Sequence, residues 1–313
     1  MSVGWVRGGE VLEFAANDPR QGTIFYTLDQ STAAPPQFKR NNVNCVSCHT
    51  SDVTMNVPGL FLGSVYPEAS GMPAYGPAYL TDHRSPFELR WGGWYVTGRH
   101  RADRHLGNAI VKDTADLGGM VTPSTVHVDD LTGRFDPSGY VSTHSDLVAL
   151  LVMEHQARMT NLITRLGWEA RLGKDADRLL HQAAAELVDY LLFIDEMPLP
   201  GPITGTSSFA AGFSGRGPRD SRGRSLRELA LTDRLLKYRC SYLIYSEPFD
   251  TLPKEAKALV YARMWEILSG AERDQRYSVI GAAERQAIIE ILRDTKDDLP
   301  AYFQDGADSA GGL

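Results

Sequence analysis

The chain has 313 residues, of which 42% are hydrophobic and 23% are charged. This composition predicts a globular protein with a sizeable core and excludes a disordered chain. No apolar run is long enough for a transmembrane helix, and 32 basic against 39 acidic residues, net charge −7, leave no basic surface for nucleic acid. We therefore expect neither a transmembrane segment nor a nucleic-acid partner.

Residues 3–30 carry the pattern of three short strands. β-Branched and aromatic residues, as in the segment 22–28, alternate with the turn signals Gly8-Gly9 and Asp18-Pro19. Residues 31–44 are then rich in Pro and Asn and predict a loop. A loop suits the motif that follows, because binding residues are concentrated on loops.

Residues 45–49 have the sequence Cys-Val-Ser-Cys-His, which matches the attachment motif of c-type haem. Two thiols three positions apart can each add to one vinyl group of the same porphyrin. The histidine directly after the second thiol is then placed beside the iron as an axial ligand. We predict that Cys45 and Cys48 bind one haem c covalently and that His49 coordinates its iron.

Two other chemistries use part of this motif. Cys45, Cys48 and His49 could be three ligands of a zinc ion, but a closed structural site needs a fourth, and no second Cys-x-x-Cys or His-x3-His pair is present. A redox-active dithiol normally lies in a strand-to-helix turn of an α/β fold, and no such pattern surrounds this motif. The remaining cysteine, Cys240, lies in an apolar context that predicts a buried, inert thiol.

Covalent haem attachment implies export from the cytoplasm. Residues 1–7 have neither the basic nor the apolar region of a secretion signal. We therefore interpret the sequence as a truncated or processed form of a periplasmic or otherwise exported protein.

The fifty residues after the motif are rich in Gly, Pro and aromatic residues and predict loops, with strands near 60–66 and 91–97. A methionine as sixth iron ligand would raise the reduction potential, a histidine would lower it, and an open position would permit catalysis or sensing. We predict His105 first and His100 second as this ligand, because both lie in the segment 97–105, which could fold over the ring. The alternative is a solvated loop whose histidines contact nothing. The remaining candidates are Met55, Met72, His83 and His155.

The second half of the chain shows helical periodicity. The first predicted helix follows a Thr143–Asp146 capping box and places His155 on its apolar face. His155 is then either a core histidine or an acid, base or ligand in a haem pocket. A loop with four arginines suits haem propionates, with a solvated loop or a contact for a redox partner as alternatives. These arginines are Arg216, Arg219, Arg222 and Arg224. Further helices are predicted over 176–197, from a capping box at 225–228, over 253–270 and over 282–294, before a disordered tail at 305–313.

Several long and unusual segments are spread over nearly the whole chain. They are Asp82–Pro86, Arg90–Gly98, Arg104–Asn108, His144–Leu150, Glu154–Gln156, Arg216–Asp220 and Cys240–Ser246. In these segments the sequence resembles a family of poorly characterised bacterial proteins described only as cytochrome c domain-containing. The resemblance implies a monohaem c-type protein, typically exported, with an additional N-terminal region that this chain lacks. It implies no particular reaction.

Together these patterns predict an α+β protein that is mainly helical, with a small β-rich N-terminal part. We expect a haem-binding region over 1–142 and a helical region over 143–313, as two regions or as one compact domain. The predicted function is electron transfer by a monohaem c-type cytochrome, with a redox partner protein or a small-molecule electron donor or acceptor. The alternatives are a haem-dependent oxidoreductase with an open distal site, acting on a small oxidant or oxyanion, and a gas or redox sensor. An electron carrier needs only about a hundred residues, so the length of this chain favours a function beyond electron transfer alone.

Overall fold

The structure is a computed structural model that describes residues 1–31, 35–41, 43–70, 72–172 and 176–304. A small antiparallel sheet at the N-terminus is followed by a helical C-terminal region, which confirms the predicted α+β class. The tail predicted to be disordered, 305–313, lies outside the described residues. Within the described residues, no helix combines the length and the apolar content that crossing a membrane requires.

The N-terminal sheet contains four antiparallel strands in the order β1-β2-β3-β4. Three of them were predicted, and β2 and β3 pair along their whole length because a tight turn joins them. Ala15 and Phe25 are directly opposite each other in this pair and both are buried. The strands are β1 Ser2–Trp5, β2 Val11–Asp18, β3 Gly22–Asp29 and β4 Phe38–Arg40.

A second, two-stranded sheet follows the short helix α1 (Asn44–His49). It consists of β5 (Leu62–Pro67), which was predicted, and β6 (Pro73–Thr81), which was not. The strand predicted over 91–97 is wrong: this segment forms turns, because Trp91 and Gly93 have φ values of 67° and 88°, which a strand cannot contain. A third, two-stranded sheet pairs Gly98–Arg99 (β7) with Thr204–Gly205 (β8).

The helical region is built around α3 (Leu147–Leu172). Its buried residues recur at three- and four-residue steps, and it packs along α4 (Ala176–Leu191). The helix predicted from 225–228 is wrong: those residues form turns, although the Ser225 N–H donates to Glu228 Oε1 at 2.9 Å as in a capping box. The other helices are α2 Pro123–Val126, α5 Phe209–Ser214, α6 Glu247–Asp250, α7 Lys254–Leu268 and α8 Ala282–Thr295.

The main hydrophobic core draws on both predicted regions of the chain. Phe87, Trp91 and Val96 are buried in the same cluster as the inner faces of α3, α4, α7 and α8. A buried ion pair between Arg90 Nη1 and Glu154 Oε2, at 3.0 Å, joins the loop before Trp91 to α3. The loops after the haem motif are therefore packed directly on the helical region.

Candidate haem-attachment site

The helix α1 carries both motif cysteines on one side. Residues three apart lie one helical turn from each other, so Cys45 and Cys48 share a face. Neither forms a disulfide; Cys48 is exposed and Cys45 is half-buried. Burial, together with the nearby Glu13 carboxylate and Cys48, raises the pKa of the Cys45 thiol. The helix thus presents two unpaired thiols at the spacing that thioether formation requires.

The side chain of His49 is held in one orientation at the end of α1. Its Nδ1 lies 2.9 Å from the carbonyl oxygen of Gly59, so Nδ1 carries the proton and donates it to that oxygen. The ring lies between Phe25 and Phe61, with centroid distances of 4.8 and 5.3 Å. In the neutral ring, Nε2 is then the nitrogen that can accept a metal bond, and for Nε2 we find no hydrogen bond among the described residues. Two thiols and one imidazole nitrogen free to accept a metal bond are the donor set that haem c uses.

The segment that receives the His49 hydrogen bond is itself tied to the sheet. The Gly59 N–H donates to the backbone oxygen of His49 at 2.9 Å, and the Thr23 N–H of β3 donates to Pro58 O at 2.8 Å. Sequence reasoning missed Phe25, Gly59 and Phe61 as parts of the site. The Pro-Gly pair at 58–59 is the one signal that could have marked a turn there.

A cavity of about 330 Å³ is lined in part by the Leu60–Leu62 segment. Trp94 and Met153 line it together with the amides of Gln156 and Asn161. Cys45, Cys48 and His49 are not among the described residues around it. Phe61, which also contacts the His49 ring, therefore borders both the cavity and the motif.

The two histidines predicted first as sixth ligands are both bonded to the backbone. His105 is fully buried; its Nε2 donates to Val126 O at 3.1 Å, and the Gly107 N–H donates to its Nδ1 at 3.0 Å. His100 repeats this pattern, with Nε2 donating to Val126 O at 3.2 Å and Ala102 N–H donating to Nδ1 at 3.1 Å. Burial, with His100 nearby, lowers the pKa of His105 to about 4. Iron binding by either ring would require one of these bonds to break, so the arrangement lends no support to His105 as a ligand.

His83 and His155 form a buried pair. Their Nδ1 atoms are 2.9 Å apart, and His155 Nε2 lies 2.7 Å from Ser241 Oγ. Tyr190 and Phe193 stack on His83 at centroid distances of 4.1 and 4.5 Å. The placement of His155 on the apolar face of its helix is confirmed. His83 Nε2 is buried and has no hydrogen-bond partner in the described part of the chain, so it alone among these four histidines retains an unengaged nitrogen.

The two methionine candidates differ in exposure. Met72, at the start of the β6 side of its hairpin, is 63% exposed and its sulfur is accessible. Met55 is half-buried, has a φ of 61° and packs against the main core.

Three of the four arginines predicted to bind propionates form ion pairs or hydrogen bonds with other residues of the C-terminal region. Arg222 Nη1 and Arg224 Nη2 each lie 2.8 Å from Glu290 Oε2 on α8. Arg219 donates to the backbone oxygens of Ser214 and Gly223. These contacts hold the loop 214–224 against α8, so the arginines of this loop have a structural role.

Among the described residues, no group of three or more His, Cys, Asp or Glu side chains is arranged to hold a metal ion. Comparison with known proteins adds no relationship: no family model matches the chain, and no curated protein or solved structure matches it either.

Proposed function

We propose that this protein is a c-type cytochrome that binds one haem covalently through Cys45 and Cys48, and that it transfers electrons outside the cytoplasm. In this proposal His49 is an axial iron ligand, and the redox partner is a protein or a small electron donor or acceptor. The bound haem would supply a one-electron iron couple. An exported location follows from the chemistry of covalent attachment, which implies maturation outside the cytoplasm.

The observation that supports this proposal most directly is the state of the three motif side chains. The thiols lie one turn apart on α1 and are unpaired, and the bond from His49 to Gly59 O leaves Nε2 free. Each thiol would add across one vinyl double bond, forming a C–S bond while its hydrogen goes to the other vinyl carbon. This addition is balanced without an external oxidant.

The test is to produce the protein with haem-maturation machinery and to measure its mass after denaturation together with its visible spectra. We expect one haem that resists extraction and a spectrum that changes between the oxidised and the reduced protein. The double variant Cys45→Ala/Cys48→Ala should lose covalent haem, and His49→Ala should give a misligated or unstable product. Cys240→Ala is the matched control, because this buried third thiol should not affect attachment. Covalent haem retained in the double variant would refute the proposal.

A second candidate function is a haem-dependent redox enzyme or a gas or redox sensor. It is favoured by the hydrogen bonds at both ring nitrogens of His100, His105 and His155, one of which would have to break before any of these rings could bind iron. An open iron position would then bind small molecules. Carbon monoxide added to the reduced protein separates the two functions: an unchanged spectrum supports the carrier, and an immediate shift supports the enzyme or sensor.

A further inference from the structure

The main-chain segment that accepts the His49 hydrogen bond is held from its far side by one residue of α3. Asn161 is 3% exposed, and its Nδ2 donates to Leu60 O at 2.8 Å. Its Oδ1 lies so close to Gly59 that a Cβ on Gly59 would be 2.1 Å from it. The amide therefore packs on Gly59 and bonds to the next residue at the same time.

Gly59 in turn makes both of its backbone hydrogen bonds to His49. Its N–H donates to His49 O, and its carbonyl accepts from His49 Nδ1, each at 2.9 Å. The absence of a side chain at Gly59 is what permits α3 to approach this closely. A continuous contact thus runs from Asn161 through Gly59 to the imidazole.

We infer that Asn161 is a positioning residue for His49: it fixes the Gly59–Leu60 backbone and so sets the direction and strength of the Nδ1 hydrogen bond. This inference rests on the proposed haem function. A carbonyl that accepts from Nδ1 makes Nε2 a stronger electron donor, which stabilises oxidised iron. The helix α3 would in this way tune the reduction potential through the backbone of Gly59 and Leu60.

The decisive variant is Asn161→Leu, which keeps the size of the side chain and removes its ability to donate. Thr164→Val is the control, because it also removes a buried polar group from α3. Among the described residues, the Thr164 hydroxyl donates within the helix, to Thr160 O. Asn161→Ala serves as a second variant if the leucine is not accommodated.

Two measurements are made on each holoprotein: hydrogen exchange of the Gly59 amide and the reduction potential. In Asn161→Leu the Gly59 amide should exchange about tenfold faster, as expected for the loss of about one hydrogen bond. The equilibrium constant for one-electron reduction should rise about tenfold, which corresponds to about +59 mV. Thr164→Val should change neither.

A folded Asn161→Leu or Asn161→Ala protein with unchanged Gly59 exchange and an unchanged potential would overturn the inference. Equal changes in Thr164→Val would also overturn it, because the effect would then reflect general loosening of α3. If the wild-type protein carries no covalent haem, the proposed function fails instead. The Gly59 exchange rate, measured then on the proteins without haem, still decides whether Asn161 holds the backbone that bonds to His49.

Discussion

Each ring nitrogen of His105 bonds to the backbone, one to Val126 O and one to Gly107 N–H. The ring therefore joins the 105–107 turn to the end of α2, inside a cluster with Phe87 and Trp91. A side chain in this position stabilises the loop, and both of its ring nitrogens are already hydrogen-bonded.

Replacing His105 should consequently affect stability and leave the haem spectrum unchanged. For His105→Gln we expect a loss of about 1–3 kcal/mol in the free energy of unfolding, because buried backbone groups lose a partner. Urea denaturation measures this loss, and the visible spectrum with and without carbon monoxide tests ligation. New carbon monoxide binding in this variant would support His105 as the sixth ligand.

At residue scale, the sequence could identify the Cys-x-x-Cys-His motif, which predicts haem attachment, but not the surroundings of that motif. Cys45, Cys48 and His49 are recognisable because their chemistry depends on local spacing. The carbonyl of Gly59, the rings of Phe25 and Phe61 and the amide of Asn161 come together only through tertiary packing. Likewise, nothing local distinguishes a histidine that binds iron from one whose nitrogens bond to Val126 O.

The buried pair His83 and His155 makes stability depend on pH. Burial lowers the pKa of both rings, that of His155 to about 3, so the folded protein keeps them neutral. The unfolded chain binds these protons below about pH 6.5, so their contribution is present above that pH and is lost as the pH falls. Burial raises the pKa of Glu154 and Glu196 to about 7, and their contribution therefore increases as the pH falls.

The histidine contribution is isolated by comparing the wild type with His83→Gln/His155→Gln at each pH. The difference in free energy of unfolding should shrink between pH 7 and pH 4.5, by up to about 1.4 kcal/mol per pH unit for each histidine. The glutamate effects cancel in this difference because both proteins contain them. Urea titrations at five pH values measure this difference in the free energy of unfolding. A difference that does not change with pH would show that the two buried rings bind protons as readily as in the unfolded chain.

At the scale of elements, the start of α3 depends on Asp146. Its Oδ1 accepts from the N–H groups of Val148 and Ala149, and its Oδ2 accepts from the Ser207 N–H and hydroxyl. The predicted cap at Thr143 is wrong, since that hydroxyl bonds to Asp130 in the preceding loop. One carboxylate therefore caps the central helix and ties it to the segment before α5.

Asp146→Ala should lower the free energy of unfolding by about 2–3 kcal/mol, the sum expected for a helix cap and additional buried hydrogen bonds. Thr143→Ala is the matched control and should cost less than about 1 kcal/mol, since its bond lies in a surface loop. Guanidinium denaturation followed by circular dichroism compares them. Equal losses in the two variants would place the cap at Thr143 after all.

The sequence predicted the helices α3, α4, α7 and α8 and the strands β1–β3, and among these helices α4 has the strongest amphipathic periodicity. The strand β6 was missed because its prolines and its glycine are typical of a loop. An edge strand tolerates these residues, since the backbone N–H groups on its unpaired edge need no partner in the sheet. The segment 91–97 has strand-like composition, yet a Cβ on Gly92 would lie 1.9 Å from Val65 O. Close backbone packing against β5, which no local pattern reveals, determines its turns.

At the scale of the whole molecule, contacts cross the predicted boundary at residue 142 in several places. The Leu147 N–H donates to Thr97 O at 2.9 Å, β7 pairs with β8, and Arg90 forms its ion pair with Glu154. Phe87 and Trp91 are buried in the helical core. Since each of these groups loses its partner if one side unfolds alone, the two regions should be stable only together.

We therefore expect a single cooperative unfolding transition. Far-UV circular dichroism reports the helices of 143–313. In a protein that carries the proposed haem, Soret absorbance would report the surroundings of His49, and the two midpoints should coincide. Arg90→Met, which leaves Glu154 buried without its partner, should lower both midpoints together, with a cost of about 3 kcal/mol or more. Two separated transitions, or a shift of the helical signal alone, would instead support two independent regions divided near residue 142, and α3 would then be a surface against which the haem region docks.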